Sequence, residues 1–208
     1  GGDGGFVETS GLGSLHVSGA AVDASAPRGN AGVWLLDPTD VTIAAAPTSG
    51  SMGAGPDWAP DGTDPAAATV NTADIVAALE GGTSVTVTSS GGGAGTGTIT
   101  VADPILPDLD TAADSGQNVS LTLDAAADII IDAAIAVIGS DHADDHLSII
   151  LQAVTGVDIN AAIDTFGGDF TSGTALAVNG GSFDATGGSI ATGAGSALIT
   201  HAGSAALG

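Results

Sequence analysis

The clearest order in this chain is an alternation of apolar and small polar residues that recurs at a fixed shift. Residues 119–135 read VSLTLDAAADIIIDAAI and residues 147–163 read LSIILQAVTGVDINAAI. A shift of 28 positions lays Val119, Leu121 and Leu123 on Leu147, Ile149 and Leu151. It also lays Ile129 and Ile131 on Val157 and Ile159, and Ile135 on Ile163, the last pair each following Ala-Ala. A weaker copy lies upstream, with Val85 and Val87 as its first strand and Ile99, Val101 and Ile105 in the places of Ile129, Ile131 and Ile135. Downstream, Leu176 and Val178, then Phe183 and Ile190, continue with a shorter period.

Alternation at period two buries one face of a strand. Each copy therefore predicts two strands of about three to five residues, with Ser, Thr, Asp and Asn on the outside. One such unit cannot bury its own apolar face, whereas stacked copies can. The pattern predicts an all-β fold, a parallel β-helix in which each repeat supplies one rung. Gly and Asn at the corners would supply positive φ where the chain turns. A β-sandwich is the competing class, but sandwiches do not usually carry tandem copies at matched register. One short helix is predicted over Thr72–Leu79, with Thr72 as N-cap and Gly81 just past its end. Residues 44–66, rich in Pro and Gly, read as an exposed loop. Residues 139–146 read as a second insertion, which lengthens the shift to 28. The whole of 1–208 reads as a single β-helical segment of a longer chain, since Gly-rich motifs run up to both ends.

Composition sharpens this picture. The 208 residues weigh only 19.5 kDa, with 34 Gly and 3% aromatic residues. The core must be Val, Ile, Leu and Ala, and so thin, which favours a repeating architecture over a deep globule. With 43% hydrophobic residues and a mean hydropathy of +0.40, the chain is not compositionally disordered. Its net charge is −23, with Arg28 the only residue of the Lys/Arg class. That excludes nucleic acid and anionic membrane surfaces as partners, because phosphate neutralisation needs Lys and Arg. The absence of Cys excludes disulfides and thiolate metal sites. No stretch reads as transmembrane: the most apolar one, 125–139, is short and holds Asp128 and Asp132. Arg28 is expected to pair with one of the many Asp, and Phe6 and Trp34 to fill ends or corners of rungs.

The first third carries distinctive wording. GGFVETSG (4–11) is followed by LHVSGAAVDASAPRGNAGVWLLDPTDVTI (15–43) and, after the loop, by VNTADIVAALEGGTSVTVTSSGGGAGTGTITVADPI (70–105). This order resembles the filamentous-haemagglutinin-like large exoproteins of bacterial two-partner secretion, and the rungs at 121–135 and 149–163 look like that family's degenerate repeats. The resemblance covers nearly all of the chain, most strongly residues 4–163. It implies a secreted, elongated, right-handed β-helix at the cell surface, used in adhesion, biofilm or contact with other cells. The family's N-terminal secretion domain is not among these residues, and the absence of Lys departs from many of its stalks.

Candidate chemistry is sparse. Asp57, Asp61 and Asp64 put three carboxylates around a Gly turn, an oxygen set of the kind Ca²⁺ takes. The spacing is neither that of an EF-hand nor of tandem Ca²⁺-binding repeats, and the bland reading of the acids is a solvated face. His142, Asp144, Asp145 and His146 form the most metal-like cluster, with two imidazoles four positions apart; a solvated loop is its default. No cofactor is required, Ca²⁺ being the one candidate. Asp128, Asp132, Asp158 and Asn160 could line one face across rungs, with Asp132 and Asn160 in equivalent positions and so a stacked Asp/Asn ladder. No Ser-His-Asp or Cys-His arrangement is identifiable, and a lone Arg argues against a polysaccharide-cleaving site, so no enzyme is expected. The expected function is an adhesive stalk that displays its loops to host or neighbouring cells and to glycans. The alternative is a fibre or sheath subunit stacking head to tail.

Overall fold

The computed structural model describes residues 2–10, 21–26, 29–37, 40–45, 67–89, 96–110, 118–140, 145–173, 176–178, 182–184, 190–192, 198–200 and 204–206. Within them the chain forms short strands and one helix, and the strands pair in parallel to make three sheets. The first sheet orders β1 (Phe6–Ser10), β2 (Val33–Asp37), β5 (Ser84–Ser89), β7 (Asn118–Ala125), β10 (His146–Ala153), β13 (Phe170–Ser172) and β16 (Ile190–Thr192). The second runs from β4 (Ala67–Asn71) through β3 (Asp40–Ala44), β6 (Ile99–Val101), β8 (Asp128–Ile131), β11 (Gly156–Ile159) and β14 (Leu176–Val178) to β17 (Leu198–Thr200). The third holds β9 (Ile135–Ala136), β12 (Ile163–Asp164), β15 (Ser182–Asp184) and β18 (Ser204–Ala206). From β7 onward the chain visits the first, second and third sheets in turn and then begins again. Parallel pairing of this kind is not that of an antiparallel sandwich.

The register follows the sequence repeat. Leu147, Ile149 and Leu151 pair with Val119, Leu121 and Leu123, Val157 and Ile159 with Ile129 and Ile131, and Ile163 with Ile135. The upstream copy obeys the same rule, with Val85 beside Leu121, Ile99 beside Ile129 and Ile105 bridging to Ile135. Downstream, Leu176 pairs with Val157, Phe183 with Ile163, and Ile190 with Phe170. In the copies up to Phe170 the inward residues alternate with half-buried or exposed neighbours, and the inward rows of the three sheets meet in one apolar core. Burying each Ile, Leu or Val there is worth about 1.5–3 kcal/mol. A one-residue slip would turn a whole row outward, so the register is fixed by burial.

The structure departs from several expectations. Each copy holds three strands, not two, because Ile135 and Ile163 belong to a separate third sheet. A two-residue strand carries a single inward side chain and so shows no alternation. The first strand is also longer than expected, with β7 and β10 each spanning eight residues. The third correction concerns the aromatic side chains: Trp34 is fully buried in the core, whereas Phe6 is 65% exposed on the outer strand β1. The register explains this, because Trp34 shares the inward row of Val85, while Phe6 sits beside Val33 on the outward row.

The helix α1 (Thr72–Glu80) forms where expected, but its N-cap is Asn71, whose Oδ1 accepts the Ala73 N–H at 2.9 Å. Thr72 is instead buried inside the first turn. Gly81 closes the helix, its N–H donating to the Ala77 carbonyl. Ile75, Ala78 and Leu79 enter the core, and Glu80 Oε1 accepts the Asp108 N–H at 3.0 Å, tying the helix to the segment after Ile105. The strand leading into α1, β4, follows β3 in the chain but pairs on the side of β3 away from β6.

The corners use less Asn than expected. Among described residues, positive φ occurs at Gly82, Gly97, Gly167 and, unusually, Phe166, at +47°. Phe166 and Gly167 are consecutive, as the central residues of a type I′ turn are, and Gly168 N–H donates back to the Thr165 carbonyl at 3.0 Å. A Cβ on Gly168 would overlap the Leu147 carbonyl, so this turn lies directly on the start of β10. The expected loop bounds also move. Ala44 belongs to β3, Gly139 bridges to Asp108, and His146 opens β10. The pairing shift falls from 28 residues between β7 and β10 to 21 between β10 and β13. The extra residues sit between β9 and β10, where the insertion was expected.

Candidate functional site

Strand alternation decides where the metal-like cluster points. Asp145 immediately precedes β10, and Leu147, two positions on, faces the core, so Asp145 also turns inward and is fully buried. Its Oδ2 accepts the Ser140 hydroxyl at 2.9 Å, which gives the buried carboxyl group a hydrogen-bond partner. His146, one position later, faces outward. Its Nδ1 lies 3.2 Å from the Phe166 carbonyl oxygen and so touches the corner with the left-handed Phe166. His142 and Asp144 lie outside the described residues, as do Asp57, Asp61 and Asp64 and also Arg28. Among the described residues, no group of three or more His, Asp or Glu stands close enough to hold a metal ion.

The register also distributes the four polar residues expected on one face. Asn160 Nδ2 donates to Asp132 Oδ1 at 2.7 Å, so the stacked ladder forms at this step. Asp128 stands opposite Gly156, and Asp158 opposite Ile130. Asp128 and Asp158 thus have no carboxylate beside them in the paired strand, and the four residues do not form one cluster: the bond shown among them is that of Asn160 with Asp132.

Sequence reasoning missed what many of the carboxylates do. Asp40 Oδ1 accepts the N–H groups of Gly97 and Thr98, the latter at 3.0 Å, and its Oδ2 accepts that of Thr96 at 3.1 Å. Three successive backbone donors ahead of β6 thus converge on one side chain from β3. Asp103 holds Ala45 at 2.8 Å, Asp3 holds Asn30 at 2.9 Å, and Asp164 holds Phe166 at 2.9 Å, each through a backbone N–H. Asp23 accepts both the hydroxyl and the N–H of Ser25, at 2.6 and 3.0 Å, and these bonds hold its carboxyl below the usual 3.8. Asp suits this task because its short side chain mimics a backbone turn and is an efficient acceptor. The signal in the sequence was Asp beside Gly, Pro or Thr at strand ends.

Among the described residues the chemistry is therefore that of a scaffold whose corners are tied by carboxylates. No described helix is long and apolar enough to cross a membrane. No protein-family model and no curated protein matches this chain.

Proposed function

We propose that this chain is a segment of a right-handed parallel β-helix, the stalk of a secreted filamentous adhesin of the haemagglutinin-like kind, and not an enzyme. One observation carries the reading: successive copies pair in register on three parallel sheets, at shifts from 19 to 36 residues, with the length differences taken up between strands. Such a stack gains length with every circuit, needs no disulfide, and carries loops without disturbing its core. The wording of residues 4–105 supports the adhesin assignment. In this reading the chain between β3 and β4, residues 46–66, and residues 141–144 carry the contact with host or neighbouring cells and with glycans.

The test replaces residues 46–65 with a Gly-Ser linker of equal length and measures adhesion to cells and to a glycan panel, with thermal melting alongside. Lost adhesion with unchanged melting is expected. Adhesion that is absent from the intact chain as well would sink the functional assignment. Negative-stain microscopy tests the shape: rods of uniform width are expected, and compact particles would overturn the stalk. Open-ended filaments would favour the head-to-tail fibre.

A further inference from the structure

We infer that Asn118 is an acceptor site for N-linked glycosylation, an inference that rests on reading the chain as secreted. Of the five Asn in the sequence, Asn118 alone opens the acceptor triplet, Asn118-Val119-Ser120. A triplet is a short signal, and its placement in the fold is what supports the assignment. Asn118 is the first residue of β7 and is exposed, whereas Val119 is buried. Alternation along the strand therefore turns the Asn118 amide and the Ser120 hydroxyl to the same outward face. On the β5 side the paired register begins only at Leu121, so among the described strands Asn118 has one neighbour, His146 of β10. Ser120 is held through its backbone, whose N–H donates to Ser84 Oγ at 3.0 Å. Asn71 and Asn160 use their side chains within the fold, as the cap of α1 and as the donor to Asp132. The Asn118 amide makes no hydrogen bond among the described residues.

The co-substrate is an activated sugar, a glycosyl phosphate carried by a nucleotide or by a lipid, brought by a separate transferase. Asn118 Nδ2 attacks C1 of that sugar. The Nδ2–C1 bond forms as the bond from C1 to the phosphate oxygen breaks. The phosphate leaves with the electron pair, and one amide proton passes to a base of the transferase. The Ser120 hydroxyl, beside the amide on the same face, is the group by which the transferase selects this Asn. The product is a neutral, hydrated group on the outward side of the first sheet, and Val119 keeps its place in the core.

The experiment weighs the peptide that carries Asn118, from intact chain made by the cells that produce it. One Arg and no Lys leave trypsin little to cut, so the digest uses a protease that cleaves before Asp and releases residues 114–123. A peptide heavier by a sugar is expected. A gain of one sugar residue identifies a nucleotide-carried donor, and a gain of a preassembled oligosaccharide identifies a lipid-carried one. Ser120→Ala should abolish the gain although Asn118 is intact, and Ser120→Thr should retain it. Melting curves establish that both variants are folded. A peptide at its unmodified mass, from chain recovered outside the cell, overturns this inference and leaves the secreted stalk standing. An unmodified peptide from chain retained in the cytoplasm overturns both. A sugar that persists in Ser120→Ala overturns the assignment to this triplet.

Discussion

Asn160 donates its side-chain amide to the carboxylate of Asp132, 28 residues earlier, at 2.7 Å, and the two occupy the same place in successive copies of the repeat. A neutral amide beside a carboxylate links two layers, whereas two carboxylates there would repel. Asn160→Asp should therefore destabilise the chain by about 0.5–1.5 kcal/mol, from the lost bond and the new repulsion. Much of that cost should disappear at molar salt, where charges a few ångströms apart are screened. Urea midpoints of both proteins at low and high salt measure it, and a cost independent of salt would refute the electrostatic part.

Asp40 offers a stronger test of the carboxylate corners. Replacement by Ala leaves the N–H groups of Thr96, Gly97 and Thr98 without their acceptor, and Gly97 is buried. A loss of about 2–3 kcal/mol is expected from urea unfolding, with Asp40→Asn intermediate because it retains one acceptor oxygen.

Thr165 predicts a change in the other direction. Its side chain is fully buried and Oγ1 has no hydrogen-bond partner. Thr165→Val keeps the shape and removes the stranded hydroxyl, so stability should rise by about 0.5–1.5 kcal/mol. For a chain of this size that corresponds to a rise of about 2–5 °C in Tm. A fall in Tm would mean that the hydroxyl has a partner in solution.

Asp23 and Ser25 form an exposed pair that titration can follow. The Ser25 hydroxyl, then its N–H, hold the Asp23 carboxyl below 3.8. A lowered folded value means that the pair's contribution is present above the unfolded pKa and is lost as pH falls through the folded one. Ser25→Ala removes the larger cause, so the Asp23 value should move up towards 3.8 in a side-chain NMR titration. An unchanged value would assign the lowering to the backbone N–H alone.

The inward rows were legible because burial imposes alternation, and two copies aligned at a 28-residue shift predict the pairing of Leu147 with Val119 and of Ile163 with Ile135. The helix was legible from its apolar spacing, but Asn71 and Thr72 are both good caps, and their order is decided by where β4 ends. The third sheet was hidden because one inward Ile per copy has no period. The reversed placement of β4 was hidden as well, since AATVN is too small and uniform to declare a neighbour. Of the candidate metal residues only Asp145 and His146 fall within the described chain, and alternation sends one inward and the other outward. The roles of Asp40, Asp103 and Asp164 were illegible because a carboxylate that ties a corner and one that faces water look alike until the corner is built.

The shortening of the shift from 28 to 21 residues with the register intact has a consequence for how such a chain changes over time. Closing a longer loop is cheap, about 0.6 kcal/mol for each doubling of its length. The joint between β9 and β10 is therefore an open port in the scaffold. New segments can enter there without altering a single inward side chain, and a foreign peptide grafted between Ser140 and Asp145 would be carried on a frame already indifferent to what fills that gap.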